Sequence, residues 1–403
     1  MTQPPKIALV VQGRFHGFDL ARAILAKGVP LRVFTNYPAF AASKFGLAAE
    51  HITSFPIHGV LHRYAHRWNL VEKFPFLERM LHSQFSKWSI SKVQAYNPHV
   101  AHVFSGVALE LFQSLKKHNP HISRVLVRGS AHIREQHRLL KSEGSKCGLP
   151  IDLPSPWMIQ RETHEYQLAN RVFTLSSFAH QSFRQKGYPE DHLELLPLAS
   201  DVSHFRPSPE IIQQRLDRIR SGSRLKVLCT GTACLRKGIR DFATVARGLK
   251  DTMQFTWVGG VSPDAESIAR QASDVIEFLP RVPQSELTRF YNDSDCFFLP
   301  TIEDGFAVVL EQAKAACLPI LATTNCAAPD LVHPGVTGFV LPINQPDLFT
   351  RQLNHWHSDR DSLAIQVEHL RSSPLRRDWS AVADEFISII QRSRGQSKAL
   401  KPV

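Results

Sequence analysis

The chain has 403 residues, 43% of them apolar and 21% charged, which suits about two domains with cores of their own and excludes a disulfide-stapled module. No run approaches the ~18 uncharged apolar residues of a membrane span, so a soluble or peripheral protein is expected. The net charge is +12, and residues 1–205 hold 24 Lys and Arg against 14 Asp and Glu, together with 16 of the 20 histidines, which suits an anionic membrane, an acidic substrate or nucleic acid.

The N-terminus passes into a strand-like run, Ile7–Val11, without a long apolar segment or a small-residue cleavage site. No secretory signal is expected, and residence is expected to be cytoplasmic. A helix over 19–27, a strand over 31–35, a strand over 100–104, a helix over 108–117 and a strand over 125–127 follow, the alternation of a parallel α/β sheet. Between His58 and Tyr96, six cations (Arg63, Arg67, Lys73, Arg79, Lys87, Lys92) interleave with Tyr64, Trp68, Phe74, Phe76, Phe85 and Trp88. That pattern fits either a helix lying on an anionic membrane or core-facing helices with solvated cations. Residues 141–157 read as a mobile loop near the acceptor side. A strand over 173–175 and a helix over 178–186 lead to the proline-dense segment 204–209, where a boundary is expected. A second α/β series then runs from 225 to 341. Two Rossmann-like, doubly wound parallel-sheet domains are the expected architecture: 1–205, 206–375, a closing helix over 376–395 returning to the first domain, and a flexible tail over 396–403. The six cysteines form no Cys-x-x-Cys pair and have no histidine at zinc spacing, so reduced buried thiols are expected.

In open α/β sheets ligands bind beyond the carboxyl ends of the strands, where loops deliver backbone amides and helix N-termini. After Val11 comes Gln12-Gly13-Arg14-Phe15-His16-Gly17, whose two glycines let the backbone approach a ligand or simply form a turn. After Cys229 comes Thr230-Gly231-Thr232-Ala233-Cys234-Leu235-Arg236-Lys237-Gly238. Its paired cations before a helix suit a diphosphate, though an exposed basic turn has the same composition. After Leu299 comes Pro300-Thr301-Ile302-Glu303-Asp304-Gly305-Phe306-Ala307, then an apolar helix carrying Glu311. Glu303 is placed to accept sugar hydroxyls, the amides near Gly305 and Phe306 to face a phosphate, and Glu311 to reach a ribose.

This combination resembles the retaining GT-B glycosyltransferases of family 4. The resemblance rests on a Glu-x7-Glu element, here Glu303 to Glu311, and on a Gly…Arg/Lys-Lys-Gly loop, here Gly231 to Gly238. It extends to Asn97-Pro98-His99-Val100-Ala101-His102-Val103 and to the stretch from Val275 to Leu299. The chain departs from the family at Thr232, where Arg is common, and at Ala327-Ala328-Pro329-Asp330, where the family has Gly-Gly-x-Pro-Glu. The resemblance implies a nucleotide-sugar donor held by the C-terminal domain, with contacts from Gly13, Gly17, Gly231, Thr232, Arg236, Lys237, Arg281, Glu303, Asp304, Gly305, Phe306, Ala307 and Glu311. It places His132, in the loop Arg128-Gly129-Ser130-Ala131-His132, near the reacting carbon, against the plain alternative of a capping or packing histidine. His132, Glu303, Arg236 and Lys237 are then the catalytic candidates, with Arg128 and His16 on the acceptor or phosphate side.

The implied reaction transfers a sugar, with retention, to a hydroxyl of a lipid-linked or cell-envelope glycan. Arg236, Lys237 and helix dipoles are expected to stabilise the departing diphosphate without a metal and without a cofactor. Alternatives are a nucleotide-sugar epimerase, a sugar phosphorylase or, in another class, a basic nucleic-acid-binding protein. Nucleic acid is not expected as a partner, because no zinc-finger, RNP-like or helix-turn-helix pattern is found. An NAD-dependent oxidoreductase would need the dinucleotide fingerprint that neither Gly13 nor Gly231 supplies.

Overall fold

A computed structural model describes residues 4–373 and 377–399, apart from the side chains of His66 and residues 394–399. Two parallel sheets organise the chain. The first contains β1 (Ile7–Val11), β2 (Leu31–Thr35), β3 (Ile52–Ser54), β4 (Val100–Phe104), β5 (Ser123–Arg128), β6 (Arg171–Thr174) and β7 (Leu193–Leu195), in the order β3-β2-β1-β4-β5-β6-β7. The second contains β8 (Leu225–Thr230), β9 (Met253–Val258), β10 (Ile276–Leu279), β11 (Cys296–Leu299), β12 (Ile320–Thr323) and β13 (Gly338–Leu341), in the order β10-β9-β8-β11-β12-β13. The central strands β1 and β11 are buried at every residue. Helices cover both faces of such sheets, which is why these strands are unbroken apolar runs without polar alternation.

Strand order reverses direction between β1 and β4 in the first sheet and between β8 and β11 in the second. Crevices open at such switch points. They bring together the loops after β1 and β4 on one domain and the loops after β8 and β11 on the other. The second pair is knitted directly, since Ile302 N and Thr301 Oγ1 both donate to Arg236 O at 2.9 and 3.1 Å. Gly238 is required there: with φ +76°, a Cβ on it would lie 1.9 Å from Pro300 O.

The chain passes between cores earlier than the proline-dense segment suggests. Leu198 and Ala199 pack in the first core, Val202 and Phe205 in the second. The helix Trp379–Ala399 returns to the first domain, packing Val382, Phe386 and Ile390 into its core, with Lys27 Nζ 2.7 Å from Asp384. It runs four residues past the expected end at 395; positions 375–376 and 400–403 of the expected boundaries lie outside the described residues.

The expected loop over 141–157 is a correction. Residues 141–147 complete the helix Ile133–Cys147, which ends at Gly148 in the left-handed region with φ 64°, and Pro156 opens the next helix, Pro156–Leu168, with Ser155 as its cap. Polar composition concealed an amphipathic helix whose Leu139, Leu140 and Gly144 face inward.

One buried group under the returning helix gives a pH-dependent stability. His102 on β4 lies 5.0 Å from the Phe386 ring, and neither of its nitrogens has a hydrogen-bond partner among the described residues. Burial, reinforced by nearby His16, lowers His102 to about 3, and burial lowers His16 to about 4. A folded-state pKa below the unfolded value of ~6.5 means stability present above pH 6.5 and lost as pH falls. Acidification from pH 7 to 5 should cost roughly 2 kcal/mol for each such histidine, at ~1.4 kcal/mol per unit below 6.5. Thermal melts should show His102→Leu flattening part of this acid slope and raising stability; an unchanged slope would refute the assignment.

Candidate active site

A cleft of ≈ 890 Å³ opens between the domains. The first domain lines it with the loop after β1 (Gln12 to His16), the loop after β4 (Ser105, Val107), Arg128 to Ser130 after β5, and the helix Pro56–Arg67. The second lines it with Lys237, Asp304 and the segment Phe306 to Val309.

The floor after β4 is held by a buried carboxylate. Glu165 accepts from Gly106 N at 2.7 Å, Ala108 N at 2.9 Å and Leu109 N at 3.1 Å, capping the helix Leu109–His118. Burial pushes Glu165 up to about 8. Arg161, whose guanidinium reaches Gly106 O at 2.7 Å and Glu110 at 2.5 Å, completes this support.

On the C-terminal side, Asp304 organises the loop after β11. Its Oδ1 accepts from Phe306 N at 3.1 Å and Ala307 N at 2.9 Å, and its Oδ2 pairs with the Lys237 ammonium. Burial favours protonation of Asp304, but Lys237 and Arg236 outweigh it and hold the carboxyl below its ordinary value. The amides of Phe306 and Ala307, the first of which was expected to face a phosphate, are therefore occupied by Asp304, a local turn bond that aspartate forms readily. Ala307 adopts φ 62° at this turn.

Glu303 differs most from expectation. Its side chain is 0% exposed. Oε1 accepts from Ala131 N at 3.0 Å and Oε2 from Gln136 Nε2 at 3.1 Å, both on the opposite domain. Gln136 Oε1 in turn accepts from Arg128 Nη2 at 2.7 Å, and Arg128 Nε lies 3.1 Å from Glu162. A polar chain thus runs from Glu162 through Arg128 and Gln136 to Glu303, with Arg236 Nη1 donating to the Glu303 carbonyl at 3.0 Å. Burial raises Glu303 above its ordinary value, with Arg236 opposing. Gly305 tightens the same contact, for a Cβ there would sit 1.9 Å from Gly129 O. Glu303 and Gly305 join the two domains here and do not project into the cleft.

Other candidates separate. Lys237, Asp304, Phe306, Ala307, Gly13, His16 and Arg128 line the cleft. His132 does not: its Nδ1 accepts from Arg134 N at 3.2 Å to cap the helix Ile133–Cys147, and its ring packs 4.9 Å from both Tyr166 and Phe183. Burial and neighbouring Arg128 lower it to about 4. The side chain packs and caps in this structure, because Tyr166 and Phe183 supply an apolar niche that local sequence does not reveal. Gly17 is buried where a Cβ would lie 3.2 Å from Leu9 and Phe104 side-chain carbons, so it serves helix packing. Gly231, with φ +107°, approaches Gly259 closely and accepts from Trp257 Nε1 at 2.7 Å, and Thr232 is exposed. Neither Gly231, Thr232 nor the exposed Arg281 lines the cleft. Glu311 sits in the first turn of the helix Val309–Ala315, half-buried and outside the cleft wall. Gln12, Arg14, Gln136 and Glu162 were missed as site residues, and only Gln12 and Arg14 stood in a loop that sequence had marked.

Comparison with known proteins fits this geometry. Residues 224–359 match the family model described as Glycosyl transferases group 1. The match lies within the second domain. A GDP-mannose-dependent alpha-(1-6)-phosphatidylinositol monomannoside mannosyltransferase of Mycolicibacterium smegmatis is 29% identical over 198 residues, 45% of this chain and 51% of that protein. The putative colanic acid biosynthesis glycosyltransferase WcaL of Escherichia coli K12 is 23% identical over 261 residues, 60% of this chain and 62% of that one. The match thus spans about half the length of the first of these relatives. Among solved structures, sucrose-phosphate synthase from Thermosynechococcus elongatus superposes with TM-score 0.66 at 15% identity, covering 97% of this chain and 100% of the other. The Anabaena protein HepE in complex with UDP superposes with TM-score 0.66 at 12% identity, covering 96% and 100%. The fold is the GT-B fold, two Rossmann-like domains facing a cleft.

Proposed function

We propose that the chain is a glycosyltransferase that moves a sugar from a nucleotide-sugar donor to a hydroxyl acceptor, retaining the anomeric configuration and using no metal. The observation that supports it best is Lys237, held by Asp304 at the cleft wall in a group 1 glycosyltransferase domain, with Arg236 beside it. A diphosphate entering there would share Lys237 with Asp304, and the two cations would stabilise the charge that develops on the leaving group. In the proposed step the bond from the anomeric carbon to the diphosphate oxygen breaks, the bond from that carbon to the acceptor oxygen forms, and the acceptor proton passes to the departing phosphate. His132 has no part in this step, and Glu303 acts by holding the domains together around it. No cluster of three His, Cys, Asp or Glu residues suited to a metal is found among the described residues.

The test is a thermal-shift panel of UDP-, GDP- and ADP-sugars in the presence of EDTA. One nucleotide class should stabilise the protein by roughly 2.7 kcal/mol at a hundredfold excess over its Kd, with EDTA making no difference. No stabilisation by any of them would count against the donor site, and stabilisation that requires magnesium or manganese would count against metal independence.

The acceptor is proposed to be a lipid-linked or envelope glycan met at an anionic membrane, with the protein otherwise in the cytoplasm. No helix among the described residues is long and apolar enough to cross a membrane. Support comes from the surface at 57–80. Tyr64, Trp68 and Phe76 are 46%, 58% and 61% exposed, flanked by exposed Arg63, Arg67, Lys73 and Arg79, whereas Phe85 is buried and Trp88 packs against the core. The two readings of this stretch thus divide along it: its first half faces solvent, its second half the core. Exposed apolar groups of this size beside cations suit a bilayer surface. Co-sedimentation with anionic vesicles should fall as salt shortens the Debye length from ~10 Å at 0.1 M to ~3 Å at 1 M, and joint neutralisation of Arg63, Arg67 and Lys73 should weaken it. Equal binding to neutral and anionic vesicles, or binding to neither, would refute the membrane proposal.

A further inference from the structure

The cationic wall of the cleft has more positive charge than its own residues neutralise. Four permanent cations line it: Arg14, Arg63, Arg128 and Lys237. Two are compensated, Arg128 by Glu162 at 3.1 Å and Lys237 by Asp304. Among the described residues, Asp304 is also the one acid lining the cleft, and Arg14 and Arg63 have no ion pair. Arg14 is held in place by its guanidinium 4.1 Å over the Phe45 ring, a contact that orients the side chain without neutralising it. The wall's histidine at this point, His16, is kept neutral by burial and adds no charge.

A second, independent feature lines the same cleft. Gln12 lines the cleft, and its Nε2 is buried without an acceptor among the described residues. A buried amide donor left unpaired costs about 1–3 kcal/mol, a cost that a ligand oxygen would remove. Tyr37, Val60 and Phe104 lie on the same wall, together with the polar Asn36, His62 and His82. Val60 and Arg63 belong to the helix Pro56–Arg67, whose remaining face exposes Ile57, Leu61 and Tyr64. The cationic wall is therefore continuous with the apolar outer surface.

Resting on the glycosyltransferase reading, we infer that the first-domain wall is an oxyanion subsite for the acceptor: Arg14, Arg63 and Gln12 receive a phosphoester of the acceptor molecule. Two arginines provide paired donors for phosphate oxygens, and the amide of Gln12 donates a further hydrogen bond. The donor diphosphate is assigned to Lys237 and Arg236 across the cleft, so the two anions occupy separate domains.

The experiment begins with titration of UDP, GDP and ADP alone, whose failure would speak against the glycosyltransferase reading and leave the second titration to be read without nucleotide. The protein, saturated with whichever nucleotide binds, is then titrated with sn-glycerol 3-phosphate and with neutral glycerol. In a parallel arm it is mixed with phosphatidylcholine vesicles with and without phosphatidic acid. At least one phosphate probe should bind where its neutral counterpart does not, and the Arg14→Gln, Arg63→Gln double variant should weaken that binding at least tenfold. Response to glycerol 3-phosphate alone identifies a free phosphoester as the source, and response to phosphatidic acid alone identifies a lipid headgroup when the single variant Arg14→Gln, which leaves the Arg63, Arg67 and Lys73 surface intact, also weakens it. The single variant Gln12→Leu, which removes the unpaired amide and keeps both arginines, should weaken the same probe by a smaller factor. The inference is overturned if neither phosphate probe binds, or if the double variant binds both as tightly as the unaltered protein.

Discussion

Replacing Glu303 by alanine should reduce transfer at least a hundredfold and lower the melting temperature by several degrees. The second effect follows from what the carboxylate holds. Its two oxygens take Ala131 N and Gln136 Nε2 from the opposite domain, and the side chain has no contact with solvent. Truncation leaves those donors buried and unpaired at about 1–3 kcal/mol each, and the Arg128–Gln136 pair loses its anchor in the second domain. A loop carboxylate aimed only at a ligand would lose activity without loss of stability. Near-normal activity in Glu303→Ala would remove Glu303 from the site altogether, while lost activity at unchanged melting temperature would remove its role in joining the domains. Glu303→Gln, which keeps the volume and one acceptor oxygen, should lie between wild type and alanine in both measurements.

Lys237→Ala should weaken nucleoside diphosphate and nucleotide-sugar binding together, by roughly 10- to 150-fold, since a hydrogen bond to a charged group contributes ~1.5–3 kcal/mol. Part of the effect on stability belongs to Asp304, because removing Lys237 leaves that carboxylate the Phe306 and Ala307 amides and, as its remaining cation among the described residues, Arg236, 3.8 Å away. The double variant Lys237→Ala, Asp304→Asn separates the two contributions: it should regain stability without regaining affinity. Isothermal titration and melting curves on the same samples decide this. Affinity unchanged in the single variant would contradict the diphosphate cradle, and affinity restored in the double variant would show that Lys237 serves only to neutralise Asp304.

The architecture was legible because its signals are local. Ile7–Val11 and Cys296–Leu299 are apolar without interruption since both faces of a parallel sheet are covered, and the loops after them carry the glycines and acids that a switch-point crevice requires. Gly238 could be marked as a turn from its neighbours, and its contact with Pro300 O explains the requirement. The direction of each side chain was not legible. Glu303 and Glu311 are eight positions apart in sequence, yet one is fully enclosed by residues 131 and 136 and the other stands half-buried outside the cleft. His132 was placed by its position after a strand, but Tyr166 and Phe183, 34 and 51 residues further on, define its niche. Glu165 and Glu162 shape the cleft from behind through bonds to residues 106, 108 and 128, and no spacing announces such partners.

The proposed activity of this cleft is transfer of a sugar from a nucleotide. The most direct measurement is release of nucleoside diphosphate from UDP-, GDP- and ADP-sugars by the purified protein, with Lys237→Ala as the control. Release from one nucleotide class, surviving EDTA and reduced at least tenfold in the Lys237 variant, is the predicted result; release from none of them across acceptors bearing free hydroxyls and phosphoesters would contradict it.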